Sequence, residues 1–184
     1  DWVAGISIGA INAAIIAGNP VEKRVEKLRA FWEGVSAGLQ GAPLWSGPDW
    51  RTLHGEVASA ISLFAGIPSF FKPRFPPPYL TFGQPSKALS YYDTSPLVKT
   101  LNDLVDFDFL NERGPRLSVG ATNVETGNFE YFDSDIVKIG PEHIMASGAL
   151  PPGFPPVIIN GQAYWDGGLV SNTPLQWVLQ FGPR

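Results

Sequence analysis

From Ile8 to Ala17 the chain reads I-G-A-I-N-A-A-I-I-A, almost without a polar position. The run is long enough for a helix, and a helix that is apolar all round has to be buried. Trp2 to Ala4 before it reads as the end of a short buried strand, residues 5–9 as a tight turn, and Gly18 as the C-terminal cap. The pattern then becomes two-sided. Asn19 suits an N-cap with Pro20 at the first helical position. Val21, Val25, Leu28 and Trp32 make an apolar stripe, opposed by Glu22, Lys23, Glu26, Lys27 and Arg29. Gly34 and Gly38 mark the fraying end of this second helix.

Residues 40–90 break the pattern, with prolines at 43, 48, 68, 73, 76, 77, 78 and 85 set among aromatic residues. A helix is predicted over about 50–65, where Leu53, Val57, Ala60, Ile61 and Phe64 recur at helical spacing. Order returns at Asp93. Thr94 or Ser95 caps a helix that starts at Pro96, with Leu97, Leu101 and Leu104 inward. Arg116 to Val124 reads as a strand, residues 125–128 as a turn and Phe129 to Asp133 as a returning strand. Pro141 to Ala149 is a short helix. Asn160-Gly161 joins residues 157–159 to 163–165 as a hairpin, and residues 174–181 form a closing helix. This alternation predicts an α/β layered domain. It divides into residues 1–35, a variable proline- and aromatic-rich insertion over 36–92, and residues 93–184.

The 184 residues suit one domain, and 44% hydrophobic against 16% charged residues excludes a disordered composition. A net charge of −4 leaves no basic footprint for nucleic acid, so no nucleic-acid partner is expected. It also means that any peripheral membrane contact would rest on apolar side chains. The chain has no cysteine, which removes disulfides and thiolate metal sites and fits a reducing compartment. No apolar run approaches bilayer-spanning length. The chain opens without Met directly before a motif, so it is expected to be an internal piece of a longer protein. A cytoplasmic or peripherally membrane-associated location is expected, with secretion left open.

Gly5-Ile6-Ser7-Ile8-Gly9 fits G-x-S-x-G, in which a strand turns sharply into a helix with serine at the apex. Glycine is expected at both flanks because side chains there would strike strand and helix. The turn exposes the hydroxyl at a helix N-terminus, where backbone N–H groups, that of Ile8 included, can face a developing oxyanion. Alone, the pentapeptide also reads as a glycine-rich turn before a core helix. Asp166-Gly167-Gly168 follows the strand-like Ala163-Tyr164-Trp165 and alone reads most simply as a turn. Together the two make a nucleophile and a carboxylate.

Three blocks then stand in one order: G-I-S-I-G at 5–9, A-S-G-A-L-P-P-G-F-P-P-V at 146–157 and D-G-G-L-V-S-N-T-P at 166–174. With them the chain resembles the patatin-like phospholipases, well over residues 1–35 and 93–180 and loosely over 40–90. The resemblance implies a three-layer α/β/α fold with a mostly parallel central sheet, and places the family's glycine-rich oxyanion loop upstream of Asp1, with the position of one central strand left open. It implies a dyad: Ser7 attacks an ester carbonyl and Asp166 takes its proton directly, with Gly167 and Gly168 shaping the aspartate loop. Aspartate is a poor base in water, so the pair requires a shielded place. The substrates implied are phospholipids or other acyl esters, with no metal or cofactor. A general esterase, thioesterase or polyester hydrolase stays open, as does a non-catalytic lipid- or partner-binding domain that kept the elbow.

Other residues carry weaker signals. Histidine occurs only at 54 and 143, and none follows Asp166, so a Ser-Asp-His triad has no obvious third member. His143 is read as a structural helix residue. Ser147 is read as close packing of a short helix near the active site. Asp103, Asp106 and Asp108 lack calcium-loop spacing and are read as a wet helix end. The stretch 61–75, with Phe64, Phe70 and Phe71, is a candidate lipid contact, weighed evenly against ordinary packing.

Overall fold

In the computed structural model the described residues are 1–36, 66–80 and 90–181. The helix expected over 50–65, with Phe64, lies outside them. The elements are β1 (Trp2–Ile6), α1 (Ile8–Ala17), α2 (Val21–Ser36), β2 (Lys72–Pro73), β3 (Tyr92–Asp93), α3 (Ser95–Leu104), α4 (Phe107–Glu112), β4 (Arg116–Asn123), β5 (Phe129–Asp133), α5 (Pro141–Ser147), β6 (Val157–Ile159), β7 (Gln162–Asp166) and α6 (Leu175–Phe181).

β4 is the centre. It is buried from Leu117 to Asn123 and carries β5 along one edge. Its other edge is shared. β1 runs parallel to it over Arg116–Gly120, and β7 runs antiparallel over Ala121–Asn123, with β6 beyond β7. The expected α/β layering is present, and the strand directions are mixed where a mostly parallel sheet was expected. A tight connection can join only antiparallel neighbours, and both β4–β5 and β6–β7 are hairpins. Only the β1-to-β4 connection, which contains helices, makes a parallel crossover. In the β6–β7 turn, Asn160 and Gly161 take φ of 51° and 82°, the positive pair that such a turn requires.

Side-chain alternation along the strands assigns the layers. Leu117, Val119 and Ala121 share a face with Phe132 and meet α1 and α5. Ser118 and Tyr131 point to the opposite face, where α6 lays Trp177 on the Tyr131 ring at 4.3 Å between centroids. α1 is buried along most of its length, as its composition requires, and Ile11 and Ile15 are fully enclosed. Each such side chain contributes about 1.5–3 kcal/mol relative to exposure.

Three local expectations are corrected. In α2 the inward positions are Leu28, Phe31 and Val35, while Val21 and Val25 are two-thirds exposed. The true stripe lies one position round the helix, because the large Phe31 ring takes the core site. Asn19 does not cap α2 as an acceptor. It is buried, and its amide donates to the Ile15 and Leu104 carbonyls, tying the ends of α1 and α3 together. Asp106 is exposed at a helix end, as expected. Its carboxylate accepts from the Phe109 N–H and caps α4, a helix that the sequence pattern did not reveal. α3 keeps Leu97 and Leu101 inward as expected, but its start is held by Asp93, which accepts from the Ser95 N–H and hydroxyl, and not by a Thr94 or Ser95 side-chain cap.

Candidate active site

The register of the sheet builds the site. Ile6 ends β1 opposite Gly120, and Asp166 ends β7 opposite Ala121. The two strands run toward each other along one edge of β4 and stop at adjacent β4 residues. Residues 159 positions apart in sequence therefore meet: the Ser7 hydroxyl donates to Asp166 Oδ2 at 2.6 Å.

Ser7 sits where β1 turns into α1, with φ 56° and ψ −127°. That conformation is strained for a residue with a side chain and costs on the order of 1–3 kcal/mol. Gly5 is required beside it, since a Cβ there would lie 2.2 Å from the Gly9 carbonyl oxygen. The expected reason for the second glycine is corrected: a Cβ on Gly9 would meet nothing within 4 Å. Glycine at 9 leaves space open beside the serine, where strand and helix do not press. Ser7 accepts at its carbonyl from the Ala10 N–H, so α1 starts immediately after it. The N–H groups of Ile8 and Gly9 thus belong to the first turn, which has no carbonyl of its own helix to bond.

Asp166 is 3% exposed, and each of its groups is placed. Oδ2 takes the Ser7 hydroxyl, and Oδ1 accepts from the Gly168 N–H at 2.7 Å. Its backbone N–H donates to the Ala149 carbonyl, and its carbonyl accepts from the Thr122 hydroxyl. Gly167 allows the close approach, because a Cβ there would lie 2.6 Å from the Gly120 carbonyl oxygen. Among the described residues no cation pairs with Asp166.

Ser147, at the end of α5, is fully buried behind the elbow. The reading as close packing near the site understated it, since its hydroxyl bonds to the Ser7 backbone. Thr122 and Gly120 also support the site and carried no sequence signal beyond lying in a predicted strand. His143 stands apart from the pair. Its Nδ1 accepts from the Gly140 N–H, its ring packs on Phe132, and burial pushes its imidazole below the ordinary value against the opposing pull of Glu142.

Phe70 and Phe71 are half-buried in an aromatic cluster with Tyr92 and Phe154. Backbone bonds from Tyr91 and Tyr92 to Pro152 and Gly153 fix this cluster to the loop after α5. The nearly fully exposed aromatic residue of that segment is Phe75. Close to the pair along the chain, or to Ala149 whose carbonyl takes the Asp166 N–H, exposed apolar side chains occur at Ile8, Leu150, Leu169 and Val170. A cleft of about 690 Å³ lined by Asn19, Lys23, Asp103 and Arg113 lies beyond the far end of α1, roughly 15 Å of helix from Ser7. It takes no part in the site.

The α/β domain thus holds a serine on a strained strand-to-helix elbow against a buried carboxylate. The patatin-like phospholipase family matches residues 1–178, and the chain belongs to it. This is a family of lipid acyl hydrolases. No curated protein matches the chain. Among solved structures it is similar to VipD from Legionella pneumophila, at 17% identity and a TM-score of 0.42, over 94% of this chain and 41% of that one. The chain thus spans less than half the length of that protein.

Proposed function

We propose that this chain hydrolyses carboxylic esters of lipids, with Ser7 as nucleophile and Asp166 as the base that activates it. The observation that carries the reading is the 2.6 Å hydrogen bond from the Ser7 hydroxyl to a carboxylate with no competing cation among the described residues. As the Ser7 oxygen bonds to the ester carbonyl carbon, its proton passes to Asp166 Oδ2. The carbonyl oxygen takes up the negative charge and faces the free N–H groups at the start of α1. When the intermediate collapses, the proton moves from Asp166 to the departing alcohol, leaving an acyl group on Ser7. Water, deprotonated by the same carboxylate, then releases the acid. The Gly168 N–H holds the second carboxylate oxygen so that Oδ2 keeps its aim.

Lipid esters are favoured over small esters by the family and by the exposed apolar side chains Ile8, Leu150, Leu169 and Val170. These make a better acyl-chain contact than Phe70 and Phe71, which are engaged in packing. The broader esterase, thioesterase or polyester reading and the non-catalytic reading are separated by one experiment on the full-length protein. Nitrophenyl esters of increasing acyl length and phospholipid vesicles are offered to the wild type and to Leu150→Ser and Leu169→Ser variants. Hydrolysis that rises with chain length, and falls about tenfold for long chains only in the variants, is the expected result. Equal rates on all chain lengths would favour a general esterase, and no turnover of any ester would favour a binding domain.

A further inference from the structure

We infer that Ser147 is a positioning residue for the elbow, which fixes the backbone of Ser7 and withdraws the Ser7 N–H from oxyanion binding. This rests on the reading of Ser7 as nucleophile. The Ser147 hydroxyl lies between two backbones: it donates to the Gly120 carbonyl at 2.6 Å and accepts from the Ser7 N–H at 3.0 Å. The residue is fully buried at the last turn of α5, and its bond to the Gly120 carbonyl is buried with it. Ser7 is therefore clamped twice. Its side chain is held by Asp166, which is registered to Ala121, and its main chain by Ser147, which is registered to Gly120.

Two consequences follow. A φ of 56° at a serine persists only if its surroundings hold it, and the Ser147 bond fixes the orientation of the peptide N–H on one side of the N–Cα bond about which φ turns. Without it, the Ser7 N–H and the Gly120 carbonyl would each lose this partner, and relaxation of the elbow would shift the hydroxyl relative to an ester. Misplacement of about 1 Å costs on the order of a hundredfold in rate. The second consequence concerns the donors. With the Ser7 N–H taken, the N–H groups that α1 can offer an oxyanion begin at Ile8.

The test compares the full-length wild type with Ser147→Ala and Ser147→Cys, at a temperature well below every melting point. It measures the rate of labelling by a fluorophosphonate, kcat and KM for a nitrophenyl ester, and hydrogen exchange of the Ser7 amide. In Ser147→Ala the Ser7 amide should exchange at least about tenfold faster, and labelling and kcat should fall about ten- to a hundredfold. KM should stay within about twofold. Ser147→Cys keeps a weak acceptor of similar size and should fall between the two, and it carries the comparison if the alanine variant does not fold. Labelling of the variants at the wild-type rate would overturn the inference while leaving the hydrolase reading intact. A wild type that is not labelled at Ser7 would overturn both.

Discussion

Asp166 and Asp133 are both buried carboxylates registered to β4, and they differ in the charge they face. Asp133 pairs with Ser118, near the start of β4. It is 1% exposed and receives hydrogen bonds from the Arg116 guanidinium at 2.9 Å to each oxygen, with a third at 3.0 Å to Oδ2. The Ser118 hydroxyl and the Asp135 N–H complete its shell, and Trp2 and Trp177 both donate to Ser118. Burial pushes its pKa up, but the Arg116 and Ser118 hydrogen bonds, the Asp135 N–H and the Arg116 charge together hold it below the ordinary value. Asp166, at the other end of the strand, accepts only from a neutral hydroxyl and a backbone N–H among the described residues. A carboxylate that is saturated by a cation is committed to structure. One that is buried against a hydroxyl keeps the capacity to take its proton. The same residue type, paired to β4 from two different strands, thus serves cohesion near its start and, under the proposed function, chemistry further along it.

Substitutions at the two ends should separate the roles. The largest effect is expected from Ser7→Ala and Asp166→Asn, each lowering kcat for ester hydrolysis by more than about a thousandfold with little change in melting temperature. Asparagine can still accept from the Gly168 N–H but cannot take a proton, so near-normal activity in a folded Asp166→Asn protein would break the contrast. Asp133→Asn should do the reverse. It removes the buried charge that Arg116 faces, leaving it Asp135 at 3.3 Å and the Trp2 ring, and should cost about 1–3 kcal/mol in denaturant unfolding, while turnover per folded molecule is unchanged. Because the folded pKa of Asp133 is depressed, its stabilisation is present above the unfolded carboxylate value and lost as pH falls through the folded one. The gap between wild type and Asp133→Asn should therefore be full at neutral pH and narrow on acidification below the usual carboxylate range. The smallest effect on stability is expected at Ser7→Gly. Removing the side chain relieves the strained φ and should raise stability by about 1 kcal/mol while abolishing turnover.

Much of this contrast was open to reading in the sequence, and the reasons are local. The elbow could be recognised because a serine between two glycines, after apolar residues and before I-N-A-A-I-I-A, leaves few other conformations. The β6–β7 hairpin was legible because Asn160-Gly161 accepts the two positive φ values of its turn. The position of Asp166 at a strand end followed from the glycines after it. What stayed hidden depends on pairing across the chain. Nothing near Gly120 or Ala121 announces that β1 and β7 converge there, because register is decided by partners distant in sequence. Ser147 and Thr122 look like small residues in packed elements until the strand ends are placed beside them. The stripe on α2 went astray for the same reason: spacing alone offers two adjacent faces, and the pocket that receives Phe31 decides between them.

The most direct measurement is mass spectrometry of the full-length protein after reaction with a fluorophosphonate, beside its Asp166→Asn variant. The phosphonyl group should be found on Ser7 in the wild type, and the variant should react at least about a hundredfold more slowly. A wild type left unmodified, an adduct on another serine, or a variant that reacts at the wild-type rate would contradict a serine activated by the carboxylate that meets it beside Gly120 and Ala121 of β4.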